Sequence, residues 1–232
     1  MFYASIPSEL GPILLRANDT HLTGLYFTDQ RDCPAMGGQA VVRPGSFDPT
    51  AGVMAGIPIK KIKVHKRDLC SGDLFAPNAE RATPDRAAAA ADPQAARGGV
   101  LQDGPQPMQA QTPEPALAIF RQAQTEIQQY FAGLRTQFSV PLALEGTEFQ
   151  KRIWNALLDI PYGHTVSYGD VARAAGFLAR YGRSVGTAVG RNPISIIVPC
   201  HRVLSSAGAL AGYGGGLERK VALLRREGFS LY

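Results

Sequence analysis

The residues best suited to chemistry lie in one short stretch, Pro199-Cys200-His201-Arg202-Val203. A thiolate is a strong nucleophile, and an adjacent base or cation makes it available near neutral pH. We expect the apolar run at 194–198 to form a buried strand that delivers Cys200. A cysteine beside a histidine is a weak signal alone, since a lone cysteine is usually an inert small hydrophobic residue. The pair therefore predicts nucleophilic chemistry only where other residues agree with it.

A second pattern precedes the cysteine, in a helix predicted over residues 179–191. Viewed down the axis, this helix carries an apolar stripe of Tyr181, Val185 and Val189, a polar stripe of Arg180, Arg183, Thr187 and Arg191, and between them Gly182, Gly186 and Gly190. The glycines predict either close packing on another helix or a thinned edge that lets the backbone approach DNA. The neighbouring arginines favour the second alternative.

The same helix has a partner just before it in the chain. Ser167 with Asp170 has the spacing of a helix N-cap, and Gly176 follows the predicted end of that helix. Two short helices joined by a tight turn in a basic region predict a helix-turn-helix.

The motifs together resemble the O6-alkylguanine-DNA alkyltransferases (methylated-DNA–protein-cysteine methyltransferases). Residues 199–203 match that family's Pro-Cys-His-Arg motif without change. The other shared motifs, in family order, are Ser167-Tyr168, Arg183, Asn192-Pro193, Gly212-Tyr213-Gly214-Gly215-Gly216-Leu217, Lys220 and Glu227-Gly228. The resemblance covers residues 117–232 strongly and extends to Leu22–Phe27.

The resemblance implies direct repair of duplex DNA that carries an O6-alkylated guanine, with O4-alkylthymine as an alternative substrate. Cys200 would take the alkyl group once and stay alkylated, so the protein would be a single-turnover methyltransferase without a cofactor. His201 would act as base through a water, oriented by Glu227. On sequence alone, Glu227 would pass for a solvated helix end.

The resemblance also assigns a pocket for the base. Tyr168 would bond a ring nitrogen, and the Gly214 N–H would lie near O6. Asn192 would tie the recognition helix to the cysteine segment. The pocket residues implied are Val203, Tyr213, Gly214 and Ser195, the last of which replaces a proline found in some family members.

A cysteine cannot reach O6 inside a stacked duplex, so the nucleotide must be flipped out. By resemblance, Arg183 would fill the vacated stack. The other residues expected against DNA are Arg180, Thr187, Arg191, Gly182 and Gly186.

We expect no metal. Human-type members of the family carry zinc in the N-terminal domain, but Cys33, Cys70, His21 and His65 have no recognised ligand spacing here.

Charge and composition agree with a nucleic-acid partner. The chain has 232 residues and a net charge of +5. Residues 147–232 hold 11 Lys and Arg against 5 Asp and Glu, so the whole excess lies there. No run approaches the roughly 20 apolar residues of a membrane span, and we read no signal peptide. Three cysteines fit a reducing compartment, and we expect a cytoplasmic protein that is associated with the nucleoid when it acts. We also expect a monomer without an obligate protein partner.

The expected fold class is α+β, with an N-terminal β-sheet scaffold domain and a mainly helical C-terminal domain that carries a winged helix-turn-helix-like unit. We expect an N-terminal sheet domain over 1–75, including a strand within 57–67, and a disordered insertion over 76–116, which holds 7 of the 17 prolines. A helix from about Leu117 and a strand at 138–144 would complete that domain over 117–146. The catalytic DNA-binding domain would occupy 147–232.

Two other functions compete with this interpretation. A DNA-binding protein that flags alkylated bases would lack the cysteine, and Cys200 is present. A cysteine hydrolase would turn over acyl substrates and would give no reason for the arginine and glycine stripes.

Overall fold

The computed structural model describes residues 1–34, 63–64 and 104–231. In these ranges the elements are β1 Phe2–Ile6, β2 Ile13–Ala17, β3 Leu22–Phe27, β4 Gln106–Pro107, α1 Glu114–Phe131, α2 Glu148–Leu158, β5 Val166–Ser167, α3 Tyr168–Ala174, α4 Gly182–Gly190, β6 Val203–Leu204 and α5 Leu217–Arg226. A sheet followed by a mainly helical part confirms the predicted α+β class. Among the described helices, none combines the length and apolar character needed to cross a membrane.

The N-terminal sheet is antiparallel, with strand order β3-β2-β1-β4. β1 turns into β2 at Gly11, whose φ of 101° suits a residue without a Cβ. Asn18 forms the next turn, since its side-chain oxygen accepts the N–H groups of Thr20 and His21. α1 packs against β1, β2 and β3 and covers the apolar side chains of the sheet.

The free edge of β3 is covered by two single-residue bridges. Leu22 pairs in parallel with Leu142, and Leu25 pairs in parallel with Ile194. The second bridge fastens the segment that leads to the cysteine directly to the N-terminal sheet.

Both segments were expected to be strands, at 138–144 and 194–198, and both expectations are wrong. Each segment meets β3 at one residue only. The Pro141 carbonyl accepts the Leu22 N–H, and the Pro193 carbonyl accepts the Leu25 N–H, each at 2.8 Å. Proline has no N–H to extend a ladder, so the pairing cannot continue toward the N-terminus from Pro141 or Pro193. After Pro193 the chain turns at 195–197, where Ile196 has a φ of 70°, and this turn ends the pairing within 194–198.

The predicted disordered insertion extends too far toward the C-terminus. Residues 104–116 are described, and β4 within them pairs with β1. α1 begins at Glu114, not Leu117, with a proline in its first turn, where proline is favoured. The prolines there mark a strand edge and a helix start. The rest of the predicted insertion, 76–103, lies outside the described residues.

The strand expected within 57–67 lies outside the described residues except at two positions. Lys63 forms an antiparallel bridge with Ala209, and Val64 forms one with Leu231. Val64 is buried in a small apolar cluster with α5.

α3 and α4 form the helix pair that the sequence predicts. Ser167 caps α3 in a reciprocal capping box with Asp170, and Gly176 turns the chain after it with φ 77°. The helix predicted over 179–191 is divided, because a 3₁₀ turn at Ala179–Tyr181 precedes α4.

One hydrophobic core runs through both parts of the chain. It includes Phe27 of β3, Phe120 of α1, Trp154 of α2, Val185 of α4 and Cys200. The predicted boundary at 146 therefore divides elements that share a core, and it stays a prediction.

The start of α2 gives a test of the fold. Thr147 accepts the Gln150 N–H at 3.2 Å and Gln150 reaches back, as the sequence predicts. We expect Thr147→Ala to lower the free energy of unfolding by about 1 kcal/mol. Urea unfolding followed by the fluorescence of Trp154, the single tryptophan, measures it. Glu148→Gln, which breaks only an exposed ion pair with Lys151, should cost less than about 0.5 kcal/mol. Equal losses in both variants would contradict the capping role.

Candidate active site

The segment before the cysteine is held by Asn192. Its side-chain amide donates to the Val198 carbonyl at 2.8 Å and to Cys200 Sγ at 3.1 Å. Its oxygen accepts the Ile194 N–H at 3.0 Å. Asn192 follows α4 directly, so one buried side chain joins the end of that helix to the sulfur.

Between these anchors the backbone makes a tight turn. The Ser195 carbonyl accepts the Ile197 N–H at 2.9 Å, and Ile196 has a φ of 70°. A bond from residue i+2 to residue i defines a γ-turn. A β-branched residue with positive φ is strained, and such strain persists only where the surroundings fix it. The turn shortens the path between β3 and Cys200.

His201 and Glu227 are directly bonded. Nε2 of His201 lies 2.8 Å from Oε1 of Glu227, and both side chains are fully buried. A carboxylate only accepts, so Nε2 carries the proton and Nδ1 keeps a free lone pair. Nδ1 is buried without a hydrogen-bond partner among the described groups. His201 can therefore accept a proton at Nδ1.

Glu227 has three further donors. Arg202 reaches both oxygens, with Nε at 2.9 Å and one terminal nitrogen at 3.0 Å. The Tyr130 hydroxyl donates at 2.9 Å and the Gly163 N–H at 3.2 Å. Burial alone would raise the pKa of this carboxyl, but its interactions with His201 and Arg202 outweigh burial and lower the pKa to about 2.

The resting site is uncharged at sulfur and imidazole. Burial raises the pKa of the Cys200 thiol, although the bond from Asn192 and the charge of Lys220 oppose it. Burial also lowers the pKa of His201 in spite of the nearby Glu227 carboxylate. At neutral pH the pair is thus a thiol and a neutral imidazole.

Lys220 is a buried cation close to the nucleophile. Its Nζ donates to the Val203 carbonyl at 2.6 Å and to the Ala211 carbonyl at 3.2 Å. Burial lowers its pKa to about 8, while the nearby Cys200 acts in the opposite direction.

A cavity of about 670 Å³ lies near the cysteine, although Cys200 is not part of its lining; Cys200 contributes to the raised pKa of two lining residues, Tyr168 and Tyr213. It is lined by Arg31, Asp32, Tyr168, Gly182, Gly186, Gly190, Ala211, Gly212, Tyr213, Gly214 and Gly216. Burial, followed by the charge of Cys200, raises the pKa of Tyr168 to about 12, which places the tyrosine near the sulfur. Cys200 itself is 4% exposed.

The structure brings some predicted pocket residues to this cavity and leaves others behind it. Tyr168, Tyr213 and Gly214 line it. Ser195 and Val203 do not; both are buried, one in the γ-turn and one in β6. Burial also raises the pKa of Tyr213 well above its usual range.

α4 presents its basic side to solvent. Arg180, Arg183, Thr187 and Arg191 are all exposed. The glycine stripe lies beside Tyr168: a Cβ on Gly186 would stand 3.7 Å from the tyrosine ring. Of the predicted apolar stripe, Tyr181 is 43% exposed and so was wrongly placed in the core. It ends the 3₁₀ turn before α4, and Arg180 lies 5.5 Å from its ring.

Sequence reasoning missed three residues of the site. Tyr130 belongs to α1, where helical spacing marks it only as a core residue. Arg31 and Asp32 follow β3 and line the cavity from the N-terminal side. No local pattern around these three residues could have indicated a site more than 90 positions away.

Across residues 1–34, 63–64 and 104–231, no group of three or more His, Cys, Asp or Glu could hold a metal ion. Cys70 and His65 lie outside the described residues.

The fold and the site define a helix-turn-helix protein with a buried nucleophilic cysteine beside an open pocket. A family model described as 6-O-methylguanine DNA methyltransferase, DNA binding domain, matches residues 148–229. The methylated-DNA–protein-cysteine methyltransferase of Mycobacterium leprae is 53% identical over 113 residues, which are 49% of this chain and 68% of that protein. The protein of the same name from Methanosarcina acetivorans is 53% identical over 110 residues, 47% of this chain and 70% of that protein.

Solved structures agree. A crystal structure of Mycobacterium tuberculosis OGT in complex with DNA matches 97% of this chain and 91% of that chain, with a TM-score of 0.58 and 31% identity. The chain belongs to the methylated-DNA–protein-cysteine methyltransferase family, as the resemblance of its motifs predicts.

The buried carboxylate makes stability depend on pH. The pKa of Glu227 is lower in the folded protein than in the unfolded chain, so its contribution is present above pH 4.5 and is lost as the pH falls toward 2. We expect the wild type to lose about 3 kcal/mol more than Glu227→Gln between pH 5 and pH 2.

Urea unfolding at each pH measures this difference. Glu227→Gln also leaves Arg202 buried without its anion and should cost about 3–5 kcal/mol at pH 7. Glu145→Gln removes a half-exposed partner of Arg16 and serves as the control. Parallel acid profiles for wild type and Glu227→Gln would contradict the assignment.

Proposed function

We propose that this protein repairs DNA by moving an alkyl group from O6 of guanine to Cys200. The observation that carries the proposal is the conjunction of a buried thiol beside an open cavity with a neutral imidazole that has a free, buried Nδ1. A carboxylate with a pKa of about 2 lies behind that imidazole. Such an arrangement can deprotonate the thiol when an electrophile binds.

The transfer balances as one displacement at carbon. The proton of Cys200 passes through a bridging water to Nδ1 of His201, and Sγ attacks the alkyl carbon. The carbon–O6 bond breaks with its electron pair on guanine. The Glu227 carboxylate stabilises the imidazolium that forms and holds the ring in the correct tautomer.

The leaving guanine needs hydrogen bonds, because its anion is a poor leaving group. Tyr168 lines the cavity, and its hydroxyl would protonate or bond a ring nitrogen. Gly214 lines the opposite wall, where its N–H would lie near O6. Val203 and Ser195 would support that pocket from behind it. The product is a thioether, so each molecule would act once.

DNA would lie along the exposed side of α4. Arg180, Arg183 and Arg191 point to solvent there, and the whole basic excess of the chain is in residues 147–232. Gly182 and Gly186 of the same helix line the cavity and would leave room for a base turned out of the duplex. Arg183 would take the place of that base in the stack.

The remaining expectations complete the proposal. A thiol that must stay reduced suits the cytoplasm, where the protein would act on DNA as a monomer, without a cofactor, membrane or obligate protein partner. Two cysteines, Cys33 and Cys200, are free among the residues described, which agrees with a reducing compartment.

The first test maps the product. Duplex with O6-methylguanine is mixed with the protein, and tryptic peptides are analysed by mass spectrometry. We expect one methyl group per protein, on the Cys200 peptide. Cys200→Ser should abolish transfer, and Cys33→Ser should retain it, because the Cys33 thiol bonds the Pro34 carbonyl and has no part in the network of Asn192, His201 and Glu227. Tight binding without methylation would favour a lesion-flagging protein. Repeated turnover on acyl substrates would favour a hydrolase.

The second test concerns DNA. Arg183→Ala should slow repair in duplex by at least about tenfold while changing the rate with free O6-benzylguanine less than about twofold, because only the duplex needs base extrusion. Rates are measured by quenched-flow transfer of a labelled alkyl group. Arg121→Ala, an exposed arginine on α1, is the matched control and should change neither rate. Equal losses with both substrates would contradict the role of Arg183.

A further inference from the structure

The guanidinium of Arg219, in the first turn of α5, joins three separate segments. Nε donates to the Leu10 carbonyl at 2.7 Å, and one terminal nitrogen donates to the Gly215 carbonyl at 2.8 Å. Asp29 pairs with the same group at 2.8 and 3.0 Å. The carbon of the guanidinium lies 4.3 Å from the centre of the Phe27 ring. A buried cation of the helical part is therefore coordinated mainly by the N-terminal sheet.

The glycine-rich stretch that Arg219 holds also packs directly on that sheet. A Cβ added to Gly215 would stand 2.7 Å from the Phe27 ring and 2.8 Å from the Tyr213 ring. Contacts that short do not occur for a real side chain, so Gly215 permits the approach. Gly215 is thus held by a hydrogen bond at its carbonyl and by a ring against its Cα, and within the same stretch the Gly216 N–H donates to the Tyr213 carbonyl at 3.1 Å.

These contacts lie behind one wall of the cavity. Gly212, Tyr213, Gly214 and Gly216 line it, and the turn after β3 contributes Arg31 and Asp32 to the same lining. Asp29 lies two residues before Arg31 on that turn, and Gln30 approaches Gly214. The Arg219–Asp29 pair therefore stands where the sheet-derived and helix-derived parts of the wall meet.

We propose that Arg219, anchored by Asp29, is a positioning residue for alkyl transfer: it fixes the glycine wall, residues 212–216, and with it the donor at Gly214. The inference rests on the proposed function. The N-terminal sheet then acts in the reaction through one guanidinium and is more than a scaffold.

The physical reason is that the backbone of the glycine wall has little preference for any one conformation. Four of its five residues are glycine, which gives the unconstrained backbone many accessible conformations. A donor that stabilises the leaving group must be held to a fraction of an ångström, and a small displacement costs much of its effect. The forked guanidinium binds Leu10, Gly215 and both oxygens of Asp29 through three separate nitrogens, whereas an ammonium would have to serve them from three N–H groups on a single nitrogen.

The molecule contains a matched control for this pair. Arg226 of the same helix pairs with Glu9 of the β1–β2 turn at 3.0 Å. This second pair also joins α5 to the sheet, but its guanidinium bonds Glu9, whereas that of Arg219 also bonds the carbonyl of Gly215 in the glycine wall. The Arg226–Glu9 pair is more exposed, so its loss should cost less stability than loss of the Arg219–Asp29 pair. The melting temperature reports that difference separately from any effect on transfer.

The experiment compares Asp29→Asn, Arg219→Lys and Glu9→Gln with wild type. Three quantities are measured for each: the second-order rate constant for alkyl transfer from free O6-benzylguanine and from methylated duplex, the rate of Cys200 modification by iodoacetamide, and the melting temperature. For Asp29→Asn and Arg219→Lys we expect both transfer rates to fall about tenfold. Iodoacetamide modification should stay within twofold, and Glu9→Gln should match wild type in transfer.

Three results would overturn the inference. The first is alkyl transfer at the wild-type rate in Asp29→Asn and Arg219→Lys. The second is an equal fall in the rate of Cys200 modification by iodoacetamide in these variants, and the third is an equal fall in the transfer rate in Glu9→Gln. Gly215→Ala provides an independent variant, which should lower transfer because it displaces the same wall without touching the ion pair. If the wild-type protein transfers no alkyl group to Cys200, the proposed function itself is overturned. This outcome is distinct because it is seen in the wild type, before any variant is compared with it.

Discussion

The rest of the structure depends on keeping one carboxylate charged in the interior. Glu227 is fully buried and collects donors from His201, Arg202, Tyr130 and Gly163. A buried anion is costly unless it is paired and hydrogen-bonded, so these partners must all be present together. They come from α1, from the loop before β5 and from the turn after Cys200. Satisfying this single charge therefore fixes the relative positions of elements that are distant in sequence.

The site also shows a division between rigid and permissive backbone. Cys200 is approached through a strained γ-turn, tied down by Asn192 and by the bridge to Leu25. The cavity opposite is walled by glycines, which leave room for a ligand but hold no shape of their own. The nucleophile is thus fixed by its own segment, while the wall is fixed by residues outside it.

The sequence was informative where the determinants are local. Thr147 with Gln150 and Ser167 with Asp170 form the capping boxes that their spacing predicts. The Pro-Cys-His-Arg motif is likewise local, and it is the basis for proposing Cys200 as the nucleophile. The apolar runs at 138–144 and 194–198 misled, because Pro141 interrupts the first run and the tight turn at Ile196 interrupts the second. At 104–116 the prolines led to a prediction of disorder, but in the structure they belong to a strand and to the start of a helix.

The features that could not be predicted are tertiary contacts between residues far apart in the sequence. Tyr130 bonds Glu227 across 97 positions, and Arg219 bonds Leu10 across 209. No sequence periodicity connects residues so far apart, and the motifs shared with the family do not include Tyr130 or Arg219.

These long separations determine when the site can exist during synthesis. α5 is made after every segment that it contacts, and it brings Lys220 to Cys200 and Glu227 to His201. Contacts between distant positions form late because the intervening chain must first be ordered. Until α5 docks, the thiol has neither its cation nor its oriented base, and its reactivity is that of an ordinary cysteine. The arrangement proposed for alkyl transfer therefore exists only once synthesis has passed residue 227 and α5 has docked; before then Cys200 also lacks the burial that raises the pKa of its thiol.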